Sequence, residues 1–455
     1  MKKNFLLILL TVMLVGIPQL SFAQGGGAPV QGGTPPGHEV ALEKQLESIA
    51  KKTYKYFEDF TDTETGLTSD IMRFDEEDGE GKHTSPTNIG IYMMSTIGAE
   101  EMGIISREEA VERVKTTISS LEDMETWNGL YYNWYFTEDG SLMSDWGEFI
   151  SQVDNGWLTA GLIVAAEAYD ELAEDALAIA HDMDYSTLYD FEENLFHGGY
   201  DVEEGSLTDH HYGMFYTEPR VTSYLAIGKG DVPSEHWWNM YRTLPVEWDW
   251  QQQTPQGYEV EYDGVEFFQG HYQYEDIKYV PSWGGSMFEA LMPGLVLNEI
   301  ELGTSGLGLN NQRHVDVQIQ YAENQDYPVW GFSPAAIPGD YSEFGVPEAG
   351  TEGYPEDGTV TPHASFLALD YAPMEVFENI RGLRDLDTYG PYGFYDTVNV
   401  HTEEVTEAYL ALDQGMIMVS IANYLHDGLI RDYFHQNEIG ETPEHLIERE
   451  EFSIE

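Results

Sequence analysis

Hydrophobic and polar positions alternate along this chain in two helical patterns. In "SREEAVERVKTTISSLEDM", Val111, Val114, Ile118 and Leu121 recur at helical spacing with charges between them, which predicts a helix with one buried stripe. Ser106 with Glu109 reads as a capping box at its start. "ELAEDALAIAHDM" belongs to the same type. The second pattern is apolar nearly all round, as in "VDNGWLTAGLIVAAEAY", "GGSMFEALMPGLVLNE" and "AYLALDQGMIMVSIANYL". A helix without a polar face must be covered on every side. Inner helices alternating with amphipathic outer ones predict an all-α fold of helical hairpins in two concentric rings. Such a ring needs about twelve helices, and roughly eleven to thirteen periodic segments can be counted.

Between the helices run long segments rich in Gly, Trp, Tyr and Pro, at 127–147, 246–283, 326–362 and 388–402. Loops of that length inside a compact domain usually carry function. Some predict short strands, "NGLYYNWYF" among them. No interdomain linker interrupts the helical patterns, so residues 39–440 read as one catalytic domain. Residues 1–23 combine Lys2 and Lys3, an apolar segment and a Ser21-Phe22-Ala23 cleavage site, the form of a secretory signal peptide. Residues 24–38, "QGGGAPVQGGTPPGH", read as a flexible leader. Residues 441–455 read as an acidic C-terminal tail. The expected location is therefore secreted or periplasmic. With no cysteine in the chain, neither a lipoprotein anchor nor a disulfide is available.

Charge narrows the partners. Twenty Lys+Arg stand against 82 Asp+Glu, a net charge of −62. Phosphate backbones and anionic membranes both need basic surface, so neither nucleic acid nor membrane is expected as a partner. An acidic shell of this size repels itself unless salt screens it, which points to a salt-adapted protein. It also means that most carboxylates are solvated surface groups, so a catalytic acid needs further support. A monomer is expected, with no cofactor and no metal.

The chemistry is sought in the loops. Their aromatic residues, among them Trp134, Tyr212, Trp283, Trp330 and Tyr392, suit flat sugar faces. Glycoside hydrolysis needs two carboxyl groups. Glu218, directly before Pro219 and Arg220, is the leading candidate. The alternative is a helix-start carboxylate favoured by the helix dipole. The dipole lowers its pKa and burial raises it, and the sequence leaves that balance open. Asp154 in "VDNGWL", with Trp157 one turn on, is the second candidate, against an ordinary N-cap role. Asp231, Glu289, Asp340, Glu352, Asp357, Asp396 and Asp413 are weaker ones. Arg220 is prominent because cations are scarce, and a buried ion pair is its simpler reading. His210, His211 and Tyr212 would serve an eliminating lyase instead. The two histidines would also begin a metal site, but no ligand spacing in the sequence completes it.

Five segments in order, "YVPSWGGSMFEALMPGLVLNE", "VWGFSPAAIPGDY", "DGTVTPHASFLALDYAPMEV", "YGPYGFYDTVN" and "AYLALDQGMIMVSIANYLHDGLIRDYF", resemble the bacterial glucoamylase-like domain. That group includes the endo-β-1,2-glucanases of glycoside hydrolase family 144 and a domain of cyclic β-1,2-glucan synthases. The resemblance implies an (α/α)6 barrel with long aromatic-rich loops, a few short strands and a broad cleft. It further implies inverting hydrolysis of a β-glucan, most of all β-1,2-glucan, without a cofactor. Glu218 and Asp154 inherit catalytic candidacy from it. The expected sugar-binding set is Trp157, His211, Tyr212, Tyr216, Arg220, Trp283, Glu289, Trp330 and Tyr392. Asn155 and Gly156, and Pro219 and Arg220, depart from the family pattern and are expected to alter substrate contacts. The rival readings are hydrolysis of another glycosidic linkage, a polysaccharide lyase, and a glycan-binding protein without catalysis.

Overall fold

The computed structural model describes residues 36–74 and 79–454. The expected signal peptide and residues 24–35 of the expected leader lie outside the described residues. The first helix, Pro36–Phe60, begins three residues inside the segment expected to be a leader.

Four helices form the inner layer. Pro86–Glu101, Gln152–Ala168, Arg220–Lys229 and Ala411–Leu425 are buried along nearly their whole length, as their all-round apolar patterns require. They are neighbours in the order Ala411–Leu425, Pro86–Glu101, Gln152–Ala168, Arg220–Lys229. The amphipathic helices Arg107–Asp123 and Ala173–Asp182 pack outside them and keep polar faces exposed. Among the described residues, no helix is long and apolar enough to cross a membrane.

Small residues set how closely the inner helices approach. A Cβ on Gly90 would stand 2.3 Å from the Trp157 carbonyl oxygen, and one on Gly161 would stand 2.6 Å from the Gly90 carbonyl oxygen. The two helices therefore touch backbone to backbone. Gly156 does the same for the third helix, since a Cβ there would meet the Thr222 hydroxyl at 1.9 Å. Asn155 ties the same turn to the loop before it, accepting from the Tyr131 N–H at 2.7 Å and donating to the Tyr131 carbonyl at 2.9 Å. Asn155 and Gly156 thus serve packing of the inner helices.

Four sequence expectations change. The "few short strands" are twenty-two among the described residues, in nine small antiparallel sheets that edge the helical core. The longest hairpin pairs Gln256–Tyr262 with Val265–Tyr274. "GGSMFEALMPGLVLNE" is not one inner helix: Met287–Leu291 gives way to a 3₁₀ turn, Met292–Leu295, where Pro293 removes a backbone donor. Residues 441–455 are not a free tail. Helix Glu444–Arg449 packs on the core, Glu450 is buried against Arg242, and Phe452 and Ile454 are buried. The Ser106 capping box is half formed: Ser106 Oγ accepts the Glu109 N–H, while the Glu109 carboxylate turns to Arg113 at 2.8 Å.

Candidate functional site

A cleft of about 500 Å³ opens where the start of helix Arg220–Lys229 meets the loops around 210–217, 283–289 and 334–354. Its lining includes Glu218, Glu289, His210, His211, Tyr212, Trp283, Phe288, Tyr341, Glu343 and Tyr354. Aromatic faces thus surround a small number of carboxyl groups.

Glu218 sits just ahead of its helix, and its carbonyl accepts the Val221 N–H at 3.1 Å. Its side chain caps nothing: Oε2 is buried and has no hydrogen-bond partner. Burial pushes its carboxyl well above the usual range, the Asp154 and Glu289 carboxylates add to the rise, and Arg220 opposes it. The balance left open by the sequence falls to desolvation. The shift favours the protonated carboxyl, the state a general acid requires.

Glu289 lies in the same cleft but is fully engaged. It completes a capping box with Ser286. It accepts from Ser282 Oγ at 3.0 Å, the Gly284 N–H at 2.9 Å and Ser286 Oγ at 3.0 Å.

Asp154 is set in the first turn of Gln152–Ala168, with its N–H on the Ser151 cap. Thr87 donates to its Oδ1 at 2.6 Å. The Asn133 amide, oriented to satisfy both neighbours, donates to its Oδ2 at 3.0 Å and accepts from Trp134 Nε1 at 3.1 Å. Burial raises its carboxyl, the bonds from Ser151 and Thr87 oppose, and Asp70 adds a smaller rise. Trp134, His83 and the 60% exposed Trp146 form an aromatic corner beside it, with ring centroids 4.8–5.3 Å apart.

Two of the weaker candidate acids from the sequence lie together. Asp396 and Asp413 are buried next to each other. Burial lifts Asp413 to about 7 and Asp396 well above its usual value. His363 Nδ1 lies 3.2 Å from Asp413 Oδ2. Tyr341 connects this pair to the cleft, because its hydroxyl lies within electrostatic reach of Asp413, Asp396, Glu218 and Asp70. Tyr341 and Tyr354 were missed altogether: Tyr341 lies in the three-residue strand Asp340–Ser342, too short to show a period, and Tyr354 lies in a loop.

Of the expected sugar-binding residues, His211, Tyr212, Trp283 and Glu289 line the cleft. The others do not. Trp157 is 1% exposed on the inner face of its helix, pressed against Pro86–Glu101. Tyr216 is fully buried and donates to Asn311 Oδ1 at 2.6 Å. Trp330 is buried, its N–H held by Asn379. Tyr392 stacks on Phe74 at 5.8 Å and donates to Asp59 at 3.0 Å, away from the cleft. Arg220 is fully buried and pairs with Glu299 at 2.7 and 3.0 Å. Its remaining N–H groups go to the carbonyls of Thr217, Glu289 and Ala290. The plain ion-pair reading of Arg220 is the correct one. Apolar bulk and scarce charge are what a core and a cleft have in common, so composition cannot separate them.

Comparison with known proteins bears on this arrangement. Residues 48–212 match a family described as a protein of unknown function. A cyclic β-(1,2)-glucan synthase, NdvB, of Rhizobium meliloti (strain 1021) is 26% identical over 90% of this chain and 19% of its own length. An exo β-1,2-glucooligosaccharide sophorohydrolase of Parabacteroides distasonis is 22% identical over 84% of this chain and 55% of its own. The chain thus spans about a fifth and about half of these relatives. In fold it resembles an endo-β-1,2-glucanase from Chitinophaga pinensis in complex with sophorotriose and glucose. The TM-score is 0.71 at 18% identity, covering 89% of this chain and 98% of that one. It also resembles a putative glucoamylase from Bacteroides uniformis, with TM-score 0.72 at 19% identity, covering 89% and 97%. The cleft-forming part of the chain, residues 210–438, matches the family described as putative glucoamylase, and because that match takes in half of the 455 residues the chain belongs to this family.

Proposed function

We propose that the protein is a glycoside hydrolase that cuts internal bonds of a β-glucan, with linear β-1,2-glucan as substrate. The observation that carries the reading is the buried, unpartnered carboxyl oxygen of Glu218 in a cleft walled by aromatic rings. The names of the relatives, a β-1,2-glucan synthase and a β-1,2-glucooligosaccharide hydrolase, support the linkage. We take the ordered inner helices with their outer partners as an (α/α)6 barrel, and the N-terminal 23 residues as a signal for export.

In this proposal Glu218 protonates the departing glycosidic oxygen. Asp154 is the second carboxylate. Thr87 and Asn133 fix its orientation, and its charge helps to hold the proton on Glu218. Trp283, Tyr212, Tyr341 and Tyr354 provide flat faces for successive sugar rings. Turnover that depends on protonated Glu218 declines as pH rises through its elevated pKa.

The test is incubation with linear β-1,2-glucan and a panel of other β-glucans at high salt, following reducing-end release. Release from β-1,2-glucan as a ladder of oligosaccharides is expected. Intact β-1,2-glucan beside a cleaved alternative would move the proposal to another linkage, and no cleavage of any glucan would defeat it. Products absorbing in the ultraviolet through a new double bond would mark a lyase instead.

A further inference from the structure

The hairpin Tyr189–Asp190/Leu195–Phe196 and the strand-like segment 208–212 meet at one lip of the cleft. There, three side chains that the sequence scatters over 22 positions converge. His197 and His211 are cross-strand partners in an antiparallel bridge, with ring centroids 4.5 Å apart. His211 Nε2 lies 3.1 Å from Asp190 Oδ2, and His197 Nε2 lies 3.8 Å from the same oxygen.

The groups around the three residues fix how they point. Asp190 Oδ1 accepts the N–H groups of Glu192 at 2.9 Å and Glu193 at 3.1 Å, which leaves Oδ2 facing the two rings. His197 Nδ1 lies 2.7 Å from the Thr208 carbonyl oxygen. A carbonyl only accepts, so Nδ1 carries the hydrogen. In the neutral ring Nε2 then turns a lone pair toward a carboxylate oxygen. His211 Nε2 is at hydrogen-bond distance from that oxygen, and a cation in place of the shared hydrogen would meet all three atoms at once.

We propose that Asp190, His197 and His211 bind a divalent first-row transition metal ion, with zinc as the best-suited member. Two imidazoles and one carboxylate are an established ligand set for such ions. Zinc–ligand bonds of about 2.0–2.2 Å in a tetrahedron place neighbouring ligand atoms about 3.3 Å apart. The two nitrogen–oxygen separations bracket that edge, and all three ligand atoms lie within 4.8 Å of one another. The Thr208 carbonyl supplies the outer hydrogen bond that orients a metal-bound histidine. The three side chains are 16–25% exposed, which gives an ion a path in and leaves a coordination position for water.

The consequence is mechanical. The ion would fasten the segment containing His211 to the hairpin, and that segment runs directly through Tyr212, Met214 and Thr217 of the cleft wall into Glu218. A metal here would stiffen the approach to the proposed acid without touching the reacting bond. The buried cluster of His363, Asp396 and Asp413 has the same residue types but no exposed side. It therefore offers an ion no path in.

The test uses the full chain produced without a polyhistidine tag, stripped with EDTA and dialysed. Zn²⁺ is titrated by calorimetry and Co²⁺ by its visible absorption. One equivalent is expected to bind, with tetrahedral-type Co²⁺ bands and a rise in the thermal midpoint on adding Zn²⁺. Asp190→Asn and His197→Ala should each weaken binding by at least about 100-fold and abolish the midpoint rise. His197→Gln, which keeps a donor for the Thr208 carbonyl, serves the same purpose if His197→Ala does not fold. No binding by wild type at 0.1 mM metal would overturn the proposal. So would binding equally strong in the variants, which is what diffuse attraction to the acidic surface predicts. The readout is independent of glucan cleavage, so its failure leaves the hydrolase reading to its own test.

Discussion

Glu218 and Glu289 face one cleft, and each stands at the beginning of a helix. Burial raises both carboxyls. Their hydrogen bonds are opposite. Glu289 is held by two serine hydroxyls and two backbone N–H groups, in the reciprocal cap that starts Met287–Leu291. Glu218 has a buried oxygen with no partner at all. A folded protein leaves a polar group unsatisfied at a cost, and such an oxygen is most readily understood as one that meets a substrate. Position at a helix start does not separate the two residues. Satisfaction of their oxygens does.

The sharpest way to break this comparison is Glu218→Gln. Loss of the acid should lower turnover on β-1,2-glucan by on the order of 10³-fold, with the urea unfolding midpoint unchanged or slightly raised at alkaline pH. The rise follows from linkage. A carboxyl whose folded pKa is elevated stabilises the native state at low pH, and that contribution fades as pH climbs through the folded value. The amide has no proton to lose. Near-normal turnover in a folded variant would return Glu218 to a structural role.

Next in size is the ion pair two residues along. Arg220 and Glu299 are both fully buried, and removing one leaves the other charged in an apolar site. Glu299→Ala should cost about 3–5 kcal/mol, measured by urea unfolding. Replacing both with apolar residues should recover most of that. A loss confined to KM, with stability intact, would restore the expectation that Arg220 binds substrate.

Glu289→Ala tests the other half of the comparison. It strands the Ser282 and Ser286 hydroxyls and the Gly284 N–H, at a cost of about 1–3 kcal/mol. Turnover of the folded fraction should stay within about tenfold of wild type, since no step is assigned to Glu289. A collapse like that of Glu218→Gln would show that hydrogen-bond satisfaction is a poor guide here.

The same contrast explains what the sequence could reveal. The inner helices were legible because burial on all sides leaves an all-round apolar pattern, and Gln152–Ala168 and Ala411–Leu425 formed as expected. Glu218 was legible from its setting before Pro219 and among aromatic residues. Trp157, Tyr216, Trp330 and Tyr392 were misassigned because an aromatic residue beside a helix start fits a core as well as a cleft. Tyr341 and Tyr354 reach the site from a three-residue strand and a loop, where no period marks the inward face. Asp190 and His197 escaped notice because strand register, not sequence spacing, brings them to His211.

The last comparison is with the Asp396–Asp413 pair, which resembles Glu218 in burial but differs in having a second carboxyl beside it. Burial is the main cause of the rise in Asp413, from 3.8 to about 7, opposed by the bond from Asp396 and assisted by Asp70. His363, Tyr341 and Tyr56 also face the pair. In the unfolded chain Asp413 releases its proton near 4, and in the folded chain it keeps the proton to about 7. Over that window the native state binds more protons, so its stability falls as pH rises. Asp413→Asn removes this titration while Asp396 retains its own, so the variant should gain stability over wild type as pH rises from 4 to 7. Urea midpoints of wild type and variant across that range measure it, with the contribution of the acidic surface cancelling between them. Parallel curves would mean that Asp413 titrates as an ordinary aspartate.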